Sequence, residues 1–165
     1  VRVPIAAGER VYTRWDYQRF FQLRCADYIQ PDLSHMGGIG EVKKVAAQAE
    51  ANHIAICPHN PSGPVANAAC LQLAACTPNF HLLETMALDV PYRADICNED
   101  IVFDDGVMHI PDRPGLGIDL NEDAIAAYPY EPKDLRHYRG DLTDIRPVDA
   151  VEWYRKHNDT LDSNR

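Results

Sequence analysis

No Cys-x-x-Cys pair occurs among the five cysteines, Cys25, Cys57, Cys70, Cys76 and Cys97. An odd, widely spaced set of this kind argues against a disulfide framework and for buried thiols in a reducing compartment, so a cytoplasmic location is expected. Long apolar runs are missing too. None approaches the ~20 residues that a membrane-crossing helix requires, and Pro4, Glu9 and Arg10 interrupt what would have to be a signal core near the amino terminus. No membrane partner is expected. Cations are scarce: 16 Lys and Arg against 25 Asp and Glu leave a net charge of −9. Neutralising a phosphate backbone takes clustered cations, so nucleic acid is not an expected partner either. Solenoid repeats and low-complexity tracts are absent, and there is no initiator methionine, so the chain reads as processed or as a piece of a longer product.

What is present is an ordinary globular composition, 45% apolar and 25% charged over 165 residues, enough for one core. Up to about residue 90 short apolar runs alternate with periodic segments. The runs are Val3–Ala7, Tyr28–Ile29, Ile54–Cys57 and Phe80–Leu83; the first reads as the start of a buried strand. Between them, helices are expected over Asp16–Arg24, Gly38–Asn52 and Gly63–Cys76, the last stopping near Pro78. Val42, Val45, Ala46 and Ala49 form one apolar stripe, Val65, Ala68, Ala69 and Leu73 another, and Trp15, Phe20 and Phe21 are expected to pack a helix. Strand starts roughly 24 to 27 residues apart, with a helix in each connection, call for parallel βαβ units. An open sheet and a closed barrel both satisfy that pattern.

Beyond Val90 the alternation stops. A hairpin is expected at Asp105-Gly106 and a short helix capped by Asn121, and residues 131–165 read as a polar tail.

Four polar residues stand at the ends of the four strands: Glu9, Asp32, His59 and Glu84. In a barrel those ends converge on one mouth, whereas an open sheet spreads them along a crevice. Each has a plainer use. Glu9 suits a hard divalent cation or an ordinary surface ion pair. Asp32 suits the orientation of an imidazole or an Asx turn after Pro31, and His59 suits proton transfer or a solvated loop. Arg10, Tyr12 and Arg14 suit an anionic polyhydroxy ligand or surface salt bridges; His35 suits substrate contact or a solvated turn. Cys57 and Cys70 read as core residues.

Taken in order, Pro4–Asp16 (PIAAGERVYTRWD), Ile29–Ile39 (IQPDLSHMGGI), Ala55–Pro64 (AICPHNPSGP), Asn67–Leu73 (NAACLQL) and Pro114–Gly117 (PGLG) resemble the carboxyl-terminal half of the enolase superfamily, in the mandelate racemase-like group of sugar-acid dehydratases. The resemblance implies an α/β fold, the last part of a (β/α)7β TIM-like barrel. Residues 1–90 would hold the last four strands and their helices, and residues 91–165 a tail returning toward a capping domain. It further implies Mg²⁺ as cofactor, with Glu9 as a metal ligand, Asp32 and His59 as an acid–imidazole pair and Glu84 as the carboxyl group after the last strand. Arg10, next to Glu9, and His35, close to Asp32 in the chain, are expected to touch the substrate, a small acid sugar.

The implied reaction removes the proton beside a carboxylate and expels a β-hydroxyl as water. The resemblance also implies two further metal ligands and a general base, which would be expected from strands preceding those in this sequence. A missing amino-terminal half, a complementary chain or an oligomer is therefore expected as partner. The alternatives are a non-catalytic assembly fragment and a racemase or cycloisomerase of the same superfamily.

Overall fold

The computed structural model of the chain describes residues 2–86, 92–98 and 101–130. The expectation for the tail beyond Tyr130 lies outside these residues. The chain divides into two compact units, 1–128 and 129–165, and every described strand and helix lies in the first.

Three short strands, β1 (Ala6–Ala7), β2 (Tyr28–Ile29) and β3 (Ala55–Ile56), form one parallel sheet in sequential order. Ala6 pairs with Tyr28, Tyr28 with Ala55, and Ile29 with Ile56. The fourth expected strand is a single parallel bridge, Ile56 to Phe80, extended by hydrogen bonds from Ile56 N to Asn79 O and from His81 N to Ile56 O, both 2.9 Å. The connections are helical: α1 (Arg14–Leu23), α2 (Ile39–Ala51) and α3 (Pro64–Ala75). The parallel βαβ reading therefore holds, with each helix within a few residues of its expected span.

Local chemistry sets the helix ends. Thr13 caps α1, its Oγ1 accepting from Asp16 N at 3.2 Å, while α3 starts with Pro64 at a position where the missing N–H has no intrahelical partner to lose. That helix ends at Ala75, before Pro78. Asn121 caps α4 (Glu122–Ala127), accepting from Ala124 N. The expected hairpin is present, β4 (Phe103–Asp104) against β5 (Val107–Met108), with Asp105 and Gly106 both at positive φ, as a tight two-residue turn between twisted strands requires.

The core lies between sheet and helices. Ile29 and Ile56 from the sheet, Tyr17 and Phe21 from α1, Val42, Val45, Ala46 and Ala49 from α2, and Cys70 and Leu73 from α3 are all buried. Fully burying a side chain of the Leu or Ile kind is worth about 1.5–3 kcal/mol. An Arg14–Glu41 ion pair of 2.7 Å ties α1 to α2.

Three expectations are corrected. Trp15 is 69% exposed, because Tyr17 and Phe21 define the buried face of α1 and a residue two positions from Tyr17 points to the opposite side of a helix; the Arg14 guanidinium covers its ring at 4.2 Å. Val65 is exposed, and α3 instead buries Asn67, Ala68, Cys70, Leu71 and Leu73. The run before β1 is not buried: Val3 is 68% and Ile5 40% exposed, since β1 pairs on one side alone among the described residues. No helix among them is long and apolar enough to cross a membrane.

Candidate active site

Parallel pairing continues past the strand ends and brings their loops together. Gln30 N donates to Ala7 O at 2.9 Å, Cys57 N to Ile29 O at 2.9 Å, His59 N to Pro31 O at 3.2 Å and Glu84 N to Pro58 O at 3.4 Å. Glu9, Asp32, His59 and Glu84 thus follow one another around a single rim of the sheet.

Asp32 sits deepest, 3% exposed. Both of its side-chain oxygens are engaged. Oδ1 accepts from Ser34 N at 2.7 Å, closing the turn after Pro31, while Oδ2 faces His59 Nδ1 at 2.8 Å. An ionised carboxylate has no proton to give, so His59 Nδ1 is the donor, and the ring's other nitrogen is turned outward. That Nε2 lies 3.4 Å from Glu9 Oε2. The negative charge of Asp32 also reaches inward. Burial first, and then Asp32, pushes the Cys70 thiol up to about 12 and the Tyr17 hydroxyl well above its ordinary range.

The remaining sequence candidates are placed unevenly. His35 Nδ1 stands 3.5 Å from the same Asp32 Oδ2, with half its side chain in solvent and Tyr12 edge-on to its ring at 5.8 Å. Arg10 points outward, 75% exposed, 3.6 Å from Glu9 Oε1. Glu84 is exposed, and no hydrogen bond or ion pair of its side chain with another described residue brings it to His59. Cys57 and Cys70 are buried free thiols, as the sequence suggested, and burial raises both.

Glu9 follows Gly8, whose φ of +125° and crowded surroundings admit no side chain without a clash: a Cβ there would meet Tyr17 Oη at 2.7 Å. The Tyr17 hydroxyl donates to Gly8 O at 2.8 Å and fixes the exit from β1. Sequence reading missed this strut. It also missed the buried amides of Asn60 and Asn67, the first beside His59, the second on the packed face of α3, joined by a 2.5 Å hydrogen bond from Asn60 Nδ2 to Asn67 Oδ1. A polar residue within the alanine-rich, otherwise apolar face of a helix is the signal that would have found Asn67.

A hard divalent ion such as Mg²⁺ takes about six oxygens in near-octahedral order. Glu9 offers one carboxylate, half-exposed at the rim. Among the described residues no group of three or more His, Cys, Asp and Glu side chains is arranged to enclose an ion. These residues fit one ligand of such a site and do not form a whole one.

The enolase C-terminal domain-like family matches residues 1–124. D-galactonate dehydratase of Variovorax paradoxus is 38% identical over 142 residues, 82% of this chain and 37% of that protein. D-xylonate dehydratase of Haloferax volcanii is 36% identical over 132 residues, 80% of this chain and 32% of the relative. Among solved structures, a Burkholderia xenovorans protein bound to magnesium and fumarate superposes with a TM-score of 0.77 at 28% identity, covering 84% of this chain and 35% of that one. The chain therefore spans about a third of the length of the curated relatives it matches.

Proposed function

The chain belongs to the enolase C-terminal domain-like family, an α/β part of its barrel, and from that premise we propose that it supplies one wall of a sugar-acid dehydratase. The observation that carries this reading is the Asp32–His59–Glu9 line at the strand ends, 2.8 Å and 3.4 Å between neighbours. Two relatives named for different sugar acids support the substrate class, an aldonate, without selecting one sugar.

In the proposed reaction the substrate loses the proton at the carbon beside its carboxylate to a base, the electron pair moves toward the carboxylate, and the C–O bond of the β-hydroxyl breaks. The hydroxyl leaves as water once protonated, and the resulting enol becomes a 2-keto-3-deoxy acid. His59 would be the general acid for the departing hydroxyl. Asp32 holds the Nδ1–H, so the proton for transfer would be the one that the imidazolium form carries at Nε2, on the side of the ring away from Asp32. Glu84, in its neutral form, would donate a hydrogen bond to the carboxylate oxygen on which negative charge grows, an interaction strongest in the transition state. Arg10 and His35, at the rim, would meet the substrate's carboxylate and hydroxyls. Mg²⁺, when bound with Glu9 as one ligand, would neutralise charge on the substrate carboxylate.

The general base and the other metal ligands would come from further strands, and the partly exposed β1 edge supports pairing with such strands, in a longer polypeptide, a complementary chain or an oligomer. Cys25, Cys57, Cys70 and Cys76 are free thiols, which supports a reducing, cytoplasmic setting. The test is a panel of aldonic acids incubated with the protein and Mg²⁺, alone and with the remaining barrel strands supplied. We expect 2-keto-3-deoxy acid and water in the complete assembly. An epimerised acid instead would make it a racemase, and no product from a correctly assembled barrel would refute the dehydratase reading.

A further inference from the structure

From the buried amides beside the site we infer that Asn67, on the first turn of α3, is a positioning residue that sets His59 and Glu84 relative to each other. This inference rests on the roles proposed for those two groups in the dehydration. Asn67 Oδ1 accepts from Asn60 Nδ2 at 2.5 Å and from Thr85 Oγ1 at 3.4 Å. Asn60 is the chain neighbour of His59, and Thr85 the chain neighbour of Glu84. One oxygen therefore joins the loop after β3 to the segment after Phe80.

Both amides are nearly inaccessible, Asn60 at 2% and Asn67 at 5% exposure. Burying amides costs free energy that hydrogen bonds merely offset, so packing alone favours an apolar residue at this place in α3. The backbone ties the two segments at 2.9 Å where they begin, from His81 N to Ile56 O, and at 3.4 Å nearer the site, from Glu84 N to Pro58 O. That long second bond leaves the separation of the side chains loosely set, and the Asn67 oxygen adds a further tether. Two groups that act on neighbouring parts of one substrate, its carboxylate and its β-hydroxyl, need such a tether, because a displacement of about 1 Å costs roughly a hundredfold in rate.

The test uses the full chain and residue-by-residue amide exchange by NMR. In Asn67→Leu, of similar volume but without the acceptor, the amides of His59 and Glu84 are expected to exchange roughly tenfold faster, the scale of one lost hydrogen bond, while those of Val45 and Ala46 in α2 stay as they are. In Thr85→Val the Glu84 amide alone should speed up. Where turnover is measurable in the assembled enzyme, Asn67→Leu should lower kcat roughly tenfold or more with KM little changed. Asn67→Asp, which keeps the acceptor oxygen, should recover part of that loss.

Unchanged His59 and Glu84 amides in Asn67→Leu would overturn the inference. An equal acceleration in α2 would do so too, since it marks general destabilisation. Should Asn67→Leu not fold, Thr85→Val decides: an unchanged Glu84 amide refutes the tether. If the unmodified protein dehydrates no aldonate, the dehydratase reading fails, and the exchange measurement still decides whether Asn67 holds the two segments together.

Discussion

Nδ1 of His59 lies 2.8 Å from Oδ2 of Asp32, although 27 residues separate them in the chain. The pairing joins the ends of two adjacent parallel strands, β2 and β3, through a carboxylate almost fully removed from solvent. A charge-assisted hydrogen bond in such surroundings is strong and directional, and it fixes which nitrogen of His59 faces outward.

Asp32→Asn separates orientation from folding. The asparagine Oδ1 can still accept from Ser34 N, so the turn should persist, but its amide offers His59 Nδ1 a donor where an acceptor stood. Turnover of the assembled enzyme should fall by about 10²–10⁴, the usual contribution of general acid–base groups, with little change in the thermal midpoint. A midpoint that collapses along with turnover would mean that Asp32 holds the loop and nothing more.

Gly8→Ala tests the strut below Glu9. The new methyl group would press on Tyr17 Oη at 2.7 Å and Gln30 N at 3.3 Å with the backbone at φ +125°. A cost of about 1–3 kcal/mol is expected from the backbone strain alone, read as a lower urea midpoint. Tyr17→Phe, which removes just the hydroxyl that donates to Gly8 O, should cost about 1 kcal/mol.

Alkaline pH should weaken the fold through two buried acids. The Cys70 thiol is raised from 9.0 to about 12 and the Tyr17 hydroxyl is raised from 10.0. For both, the unfolded chain gives up its proton at lower pH than the folded one. Their contribution is therefore fully present below about pH 9 and is lost as pH climbs toward 12. Urea midpoints measured across that window should fall, and Cys70→Ala should flatten the early part of the decline. A midpoint independent of pH there would contradict the burial of both groups.

Asn79→Leu probes the far end of the sheet. Asn79 Nδ2 donates to Ala46 O at 3.0 Å and Ile54 O at 2.9 Å, which joins α2, the chain entering β3 and the Phe80 segment. Losing both bonds should cost about 1–3 kcal/mol, measured by denaturant unfolding. Because this residue stands before Phe80, away from the rim, substrate affinity in the assembled enzyme should be unaffected.

Much of this arrangement is legible in the sequence because its causes are local. The α2 stripe of Val42, Val45, Ala46 and Ala49 follows from helical spacing, and all four are buried. Asp105-Gly106 makes its turn because both positions take positive φ. Trp15 departs from its expected burial because apolar character does not say which side of a helix the sheet will occupy; Tyr17 and Phe21 decide that, and Trp15 is left outside. The Asn60–Asn67–Thr85 set is not legible, because its members lie 7 and 18 residues apart, in three different segments.

The amino-acid sequence by itself determined the order of strands and helices and the polar residue at each strand end, since periodicity, capping and turn chemistry act over a few residues. Tertiary structure alone decided which of those ends meet. Register across β1, β2 and β3 puts Glu9, Asp32 and His59 in one line, while Glu84, held to its neighbour by a 3.4 Å backbone bond, keeps its side chain in solvent. A side chain's partner depends on the register of the whole sheet and on the rotamers that its packing permits, and neither is a property of any short stretch of chain.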